Sequence, residues 1–154
     1  MIEPTIDFYV PGNPVPKLRS LHRSGQGKPY KPDKVVWYEQ WARMYAEKHK
    51  PEKPIEGAVV IRFILTFERP KTISPKKRPY PTVVPDWDNA AKSLCDALRG
   101  VIFVDDCQAI DVLVQKRYAA EPGTECARVQ VWDIARMGVP LPEVGGQLEQ
   151  SMLF

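Results

Sequence analysis

Cysteine and histidine are scarce in this chain. It has three cysteines, Cys95, Cys107 and Cys126, and two histidines, His22 and His49. An odd cysteine count without paired spacing argues against a disulfide framework. No four Cys or His residues cluster as a structural zinc site requires. The thiols are expected to be buried or half-buried, in a reducing cytoplasm. Long hydrophobic runs are missing too. The longest, Ala58 to Phe67, is interrupted by Arg62 and has the length of a strand, well short of the roughly 18 residues of a membrane span. Met1 to Asp7 carries acids rather than a basic stretch leading into an apolar one, so no secretory leader and no membrane association is expected.

A chain of 154 residues is the size of one domain. Its net charge of +3 says little, but the charge is unevenly placed. Arg69, Lys71, Lys76, Lys77 and Arg78 stand in a stretch from Arg69 to Val84 that holds no acid, and Asp86, Asp88, Asp96, Asp105 and Asp106 follow. A basic rim beside an acidic pocket suits a polyanion held over a cation-filled site; a solvated loop beside a helix cap would look the same.

Thr5 to Val10 reads as a first strand, ended by Pro11-Gly12. Lys17 to Pro32, with Lys17, Arg19, His22, Arg23 and Lys28, is polar and basic and predicts a mobile loop. Lys34 to His49 sets Trp37, Trp41, Met44 and Tyr45 at helical spacing and is stopped by Pro51 and Pro54. Ala58 to Phe67, rich in Val, Ile and Phe, predicts a central strand. Pro70, Pro75, Pro79, Pro81 and Pro85 then forbid both a continuous helix and a central strand, leaving an extended basic loop.

A second helix is expected from Asp88 to Gly100, with Trp87, Ala91, Leu94, Cys95 and Leu98 on one face and Asp88, Lys92, Asp96 and Arg99 on the other. After a short apolar stretch, Val101 to Val104, two alternating segments, Ile110 to Tyr118 and Ala127 to Ile134, predict strands. Pro122-Gly123 between them predicts a hairpin. The order β-α-β-α-β-β describes an α/β fold: a single small domain over residues 1–136, a mixed β-sheet with packed helices. From Met137 the composition turns to Gly, Pro and Glu, and residues 137–154 are expected to form a flexible tail.

Asp86 and Asp88 flank Trp87 at the mouth of the second helix. In an extended segment, residues two apart point the same way, so both carboxylates can face one ion. Asp105 and Asp106 follow an apolar stretch running back along the domain and are expected to close the site from the other side. Phosphodiester hydrolysis needs an activated water and neutralised phosphate charge. Magnesium supplies both, held by a few carboxylates. Lys92, one turn after Asp88, can pair with it or approach the phosphate. The same residues are also what helix capping and a turn would use.

The run Pro85-Asp86-Trp87-Asp88-Asn89-Ala90-Ala91-Lys92, through Asp96-Ala97-Leu98 to Asp105-Asp106-Cys107-Gln108, resembles the RusA family of Holliday-junction resolvases, whose signature is D-x-D-N-x-x-K, then D-A-L, then D-D-x-Q. The segment Phe8-Tyr9-Val10-Pro11-Gly12 onward to Tyr30 is similar to that family, as is Lys116; the resemblance spans roughly Thr5 to Ile134. Ala90 stands where the family often has a larger apolar residue.

The resemblance implies a homodimer that nicks four-way DNA junctions in symmetric pairs with Mg2+, for which Mn2+ substitutes. It implies Asp86, Asp88 and Asp106 as metal-binding catalytic acids, with Asp105 sharing the metal, and Lys92 as the catalytic lysine. A twofold dimer places one site on each of two strands. Lys17, Arg19, Arg69, Lys76, Lys77, Arg78 and Lys116 are expected to contact DNA phosphates. Trp87 and Tyr80 are candidates to stack at an opened junction, with core packing the competing expectation for Trp87. A bacterial cytoplasm, with phage or prophage origin, fits the family.

The last residues, Gln150-Ser151-Met152-Leu153-Phe154, resemble the short Q-x-x-L-F peptide with which bacterial repair proteins dock on the DNA sliding clamp. Leu153 and Phe154 would fill an apolar pocket and Gln150 would bond at its rim. Two other readings are a junction-binding protein without catalysis, in which the acids only cap and fold, and a branched-DNA nuclease of broader specificity.

Overall fold

The computed structural model describes residues 3–17 and 33–138. It is an α/β domain of four strands and three helices: β1 (Ile6–Pro11), α1 (Asp33–His49), β2 (Val59–Phe67), α2 (Trp87–Leu98), β3 (Ala109–Tyr118), β4 (Cys126–Asp133) and the short α3 (Ile134–Met137). A single 3-10 turn, Asp106–Gln108, precedes β3.

The sheet order is β1-β4-β2-β3. β4 lies antiparallel to both β1 and β2, while β2 and β3 run parallel. The expected hairpin between β3 and β4 is therefore absent, because β2 lies between them. The reason is the crossover: a strand reached from β2 through α2 returns parallel to β2. The link after β3 then steps over the end of β2, where the Ala119 N–H donates to the Phe67 carbonyl at 2.8 Å. β2 is central, as its run rich in Val, Ile and Phe predicts.

The core forms on the face the helices cover. Val129 sits between Phe8 and Phe63, and Val131 between Ile6 and Ile61, all buried. Leu94, Leu98 and Ala91 of α2 close this layer with Val35, Tyr38, Ala42 and Ala46 of α1. The buried stripe of α1 is thus not the aromatic one expected. Trp37 is 70% exposed and Met44 lies at the surface, while the small Ala42 and Ala46 lie on the buried face of α1, which packs against α2 and β1. Trp41 lies at the margin, its indole N–H donating to the Pro11 carbonyl at 2.8 Å.

The thiols depart from expectation at one position: Cys95 and Cys126 are half-buried, but Cys107 is exposed. Val101, Ile102 and Phe103 are buried in the turn after α2, where Gly100, at φ +72°, holds the left-handed conformation that favours glycine. Among the described residues no helix is long and apolar enough to cross a membrane.

Candidate active site

The acids stand at the two ends of α2. At its start, Asp86 occupies the capping position with extended backbone, yet its carboxylate makes no capping hydrogen bond. Asp88 lies in the first turn, and both side chains are exposed. Capping therefore does not account for Asp86. Three contacts hold this end in place. The Lys116 ammonium donates to the carbonyls of Val83 at 2.9 Å and Pro85 at 2.8 Å, clamping the residue directly before Asp86 to β3. The Lys17 N–H donates to the Asn89 carbonyl at 2.8 Å. The Lys17 ammonium pairs with Asp96 one face along the helix. An open groove of about 480 Å³ runs here between Lys17, Lys34, Phe67, Pro85, Asp86 and Asn89.

Past the other end of α2, the two neighbouring acids have different tasks. The Asp105 carboxylate accepts the Asp106 N–H at 2.7 Å, and the Gln108 side-chain oxygen accepts the Asp105 N–H at 2.7 Å, a reciprocal capping box. Gln108 also donates to the carbonyls of Ile55 at 2.8 Å and Gly57 at 2.7 Å, fastening the turn to the approach to β2. Hydrogen bonding with the Asp106 side chain, then with the Asp106 N–H, holds the Asp105 carboxyl below the usual carboxylate range. Asp106 is the more buried of the two. Burial pushes the Cys95 thiol up to about 12, with the negative charges of Asp106 and Asp96 adding to the effect and Lys92 opposing it. The charges of Asp106, Asp96 and Lys92 are thus all felt at one thiol, while Asp105 caps the turn.

One chain does not bring the two acidic pairs together. Asp86 is clamped beside Lys116 and Phe67, at the far end of β2 and β3, whereas Asp106 precedes Ala109 at the near end. At about 3.3 Å per residue, the stretch of β3 between those ends spans on the order of 20 Å. Among the described residues, no three His, Cys, Asp or Glu side chains converge to hold a metal ion. The expectation that Asp105 and Asp106 close the site from the other side is not met within a single chain, because α2 carries the chain back along the strands and so separates its two ends.

The cations divide into engaged and open ones. Lys17 and Lys116 make the contacts above. Arg69 donates to the carbonyls of Arg78 and Pro79 and stacks over Tyr118 at 4.1 Å, folding the proline-rich loop on itself. Lys76, Lys77 and Lys92 are exposed, and Arg78 is half-buried. Trp87 is 58% exposed, against its expected place in the core, and Tyr80, in the loop before α2, is exposed as well. Arg19, Gln150, Leu153 and Phe154 lie outside the described residues. The anchoring role of Gln108 was missed, although Asp-x-x-Gln before a turn is a capping-box signal. The Lys17–Asp96 pair joins residues 79 apart and has no local signal.

A small α/β domain carrying surface carboxylates and a cation-rich loop has the make-up of a hydrolase acting on nucleic acid. Residues 11–127 match the endodeoxyribonuclease RusA family, and the chain belongs to that family. It is also similar to the uncharacterized protein YqaN of Bacillus subtilis (strain 168), at 34% identity over 131 residues, covering 78% of this chain and 92% of that one. Membership makes the chain an endodeoxyribonuclease of a family that acts on DNA junctions and depends on divalent metal.

Proposed function

We propose that the chain resolves four-way DNA junctions by paired symmetric nicks, as a homodimer using Mg2+, with Mn2+ able to substitute, in recombination and repair. The observation that carries this is the family match over residues 11–127, together with the run from Asp86 to Lys92 and the Asp105-Asp106-Cys107-Gln108 turn. The donors are carboxylate oxygens, the chemistry Mg2+ prefers, and among the described residues of one chain they form two separate groups rather than one complete site.

In this reading Asp86, Asp88 and Asp106 are the essential acids and Asp105 supports Asp106. Lys92, exposed on the face that carries Asp88, reaches a phosphate. The unpaired N–H groups at the start of α2 accommodate a phosphate oxygen. Lys76, Lys77 and Arg78 hold the DNA backbone without reading sequence, and exposed Trp87 and Tyr80 stack at the opened junction. The test is cleavage of a synthetic four-way junction with Mg2+ beside flap and three-way substrates. Paired nicks by wild type, lost in Asp88→Asn with binding retained, support the reading. Binding without cutting by both proteins defeats it.

A second partner is the bacterial sliding clamp, met through Gln150, Leu153 and Phe154. Deleting Leu153-Phe154 is expected to abolish clamp binding and leave junction cleavage intact; clamp binding that survives the deletion removes this proposal.

A further inference from the structure

Resting on the assignment of Asp86 and Asp88 to the place where a strand is cut, we infer that the aromatic hollow between the end of β1 and α1 receives an unpaired base of that strand, stacked on Trp37.

The hollow is continuous with the acids. The groove beside Asp86 and Asn89 passes Val15 and Lys34 and opens into a second hollow of about 470 Å³, between Pro11, Trp37, Tyr38 and Trp41. Lys34, Trp37, Tyr38 and Trp41 fall at the spacing of one helix face. Tyr38 is buried, Trp41 is half-buried, and Lys34 and Trp37 are exposed, so this face slopes from the core out to water.

The walls of the hollow are held in place, while the ring at its mouth is unengaged. Trp41, bonded to the Pro11 carbonyl, also meets the Tyr45 ring edge-on at 5.1 Å. Opposite it, the Gly12 N–H donates to the Glu125 carbonyl at 2.9 Å and the Lys17 N–H to the Asn89 carbonyl. The segment carrying Val15 is therefore tied at both ends. A slot fixed on two sides needs little rearrangement to receive a flat group. Trp37, by contrast, has no hydrogen bond or ring contact among the described residues. A large ring left in water at the mouth of an apolar slot marks a binding surface.

Charge and shape select the occupant. The Lys17 ammonium is taken by Asp96, whereas Lys34 is exposed and has no ion pair with an acid among the described residues. Lys34 stands where the two hollows meet, with Asp86 on one side and the rings on the other. A nucleotide has the matching order, a phosphate for the cation and a flat base for the rings. A paired base has both faces covered by its neighbours in the duplex, so only a base already out of the stack can lie on Trp37. Stacking meets the face of a base and not its edge, so any of the four bases serves.

The test uses the full-length protein and four-way junctions that each lack one base, at successive positions on either side of the nick. Binding is measured without divalent metal, so that no strand is cut. Trp37→Ala is expected to weaken binding of the intact junction by about 5- to 150-fold, and Trp37→Phe to keep most of the affinity. Removing one base, a few nucleotides from the nick and on one side of it, should weaken wild type by a similar factor. The same removal should leave Trp37→Ala unaffected, whichever base stood there. A photoreactive 5-iodouracil at that position should crosslink wild-type protein at Trp37, which reads the contact without any substitution. Wild-type affinity in Trp37→Ala, missing bases that weaken both proteins alike at every position, or crosslinks confined to other residues would each overturn the inference. Monomers formed by Trp37→Ala with junction affinity unchanged would give the slot to a second copy. A fluorescence shift without DNA on deleting residues 139–154, present in wild type and absent in Trp37→Ala, would give it to the chain's own end. Either result overturns the inference. Asp88→Asn that cuts as wild type does defeats the assignment of the acids and not the contact at Trp37, which is read without metal.

Discussion

The side-chain oxygen of Gln108 accepts the backbone N–H of Asp105 at 2.7 Å. With the two bonds that Gln108 donates to the carbonyls of Ile55 and Gly57, it orients the whole Asp105-Asp106 turn, and this gives adjacent aspartates unequal roles. Asp106→Asn is expected to abolish junction cleavage, whereas Asp105→Asn, which keeps an acceptor for the Asp106 N–H, retains most of it. Gln108→Ala leaves two carbonyls and an N–H without partners and should lower stability by about 1–3 kcal/mol in urea unfolding. Gln108→Glu should not rescue it, because a carboxylate cannot donate to Ile55 and Gly57. Equal loss of cleavage in the two Asn variants would contradict this division.

Lys116 was expected on the DNA, but its ammonium is taken by the carbonyls of Val83 and Pro85. Lys116→Met should therefore misplace Asp86 and reduce cleavage by roughly 10- to 100-fold, while junction affinity and its salt dependence stay near wild type. Lys116→Arg should restore part of the rate. A weakened affinity with a shallower salt slope, and normal cleavage at saturation, would return Lys116 to the DNA contacts.

Lys76 and Lys77 are exposed and make no ion pair with an acid among the described residues. Replacing both by alanine should leave the unfolding midpoint unchanged and weaken junction binding regardless of sequence. The slope of log affinity against log salt should fall by about 2. An unchanged slope would remove the loop from the DNA interface.

The pH dependence of folding has a defined contributor on the sheet face opposite the helices. Asp7 receives Arg128 at 2.9 and 2.6 Å and Gln130 at 3.0 Å. Hydrogen bonding from Arg128, ahead of the opposing effect of burial, holds its carboxyl below the ordinary value of 3.8. A depressed carboxyl stabilises the fold above the unfolded pKa and loses that effect as pH falls through the folded one. The pair is partly open to solvent, so Asp7→Asn should cost about 0.5–1 kcal/mol at pH 7. That difference should begin to shrink as pH falls past 3.8, where Asp7 of the unfolded chain takes up its proton, and disappear once the lowered carboxyl of the folded state is protonated as well. A constant difference from pH 7 to pH 3 would show that the charge is not what matters.

Much of this was legible in the linear order of residues. Alternation and proline placement marked β1, β2, β3 and β4 within a residue or so, since a strand's own side chains report which positions face a core. The placement of Asp86 and Asp88 at the start of α2 and of Asp105 and Asp106 in a turn beyond its end was legible, because spacing along one helix or turn sets local geometry; the capping box of Asp105 with Gln108 was not read from it.

What tertiary structure decided concerns partners distant in sequence. Which face of α1 is buried depended on the closeness of α2, so Trp37 went outside and Ala42 and Ala46 went in. Strand adjacency depended on the crossover through α2, which set β2 between β3 and β4. The task of Lys116 depended on a carbonyl 31 residues away. The distance between Asp86 and Asp106 depended on the direction in which α2 returns along the sheet. Local sequence determines what each segment can become and which chemistry it carries. Only packing between segments, governed by long-range burial and by the hydrogen bonds left over after the elements form, determines which of those groups meet.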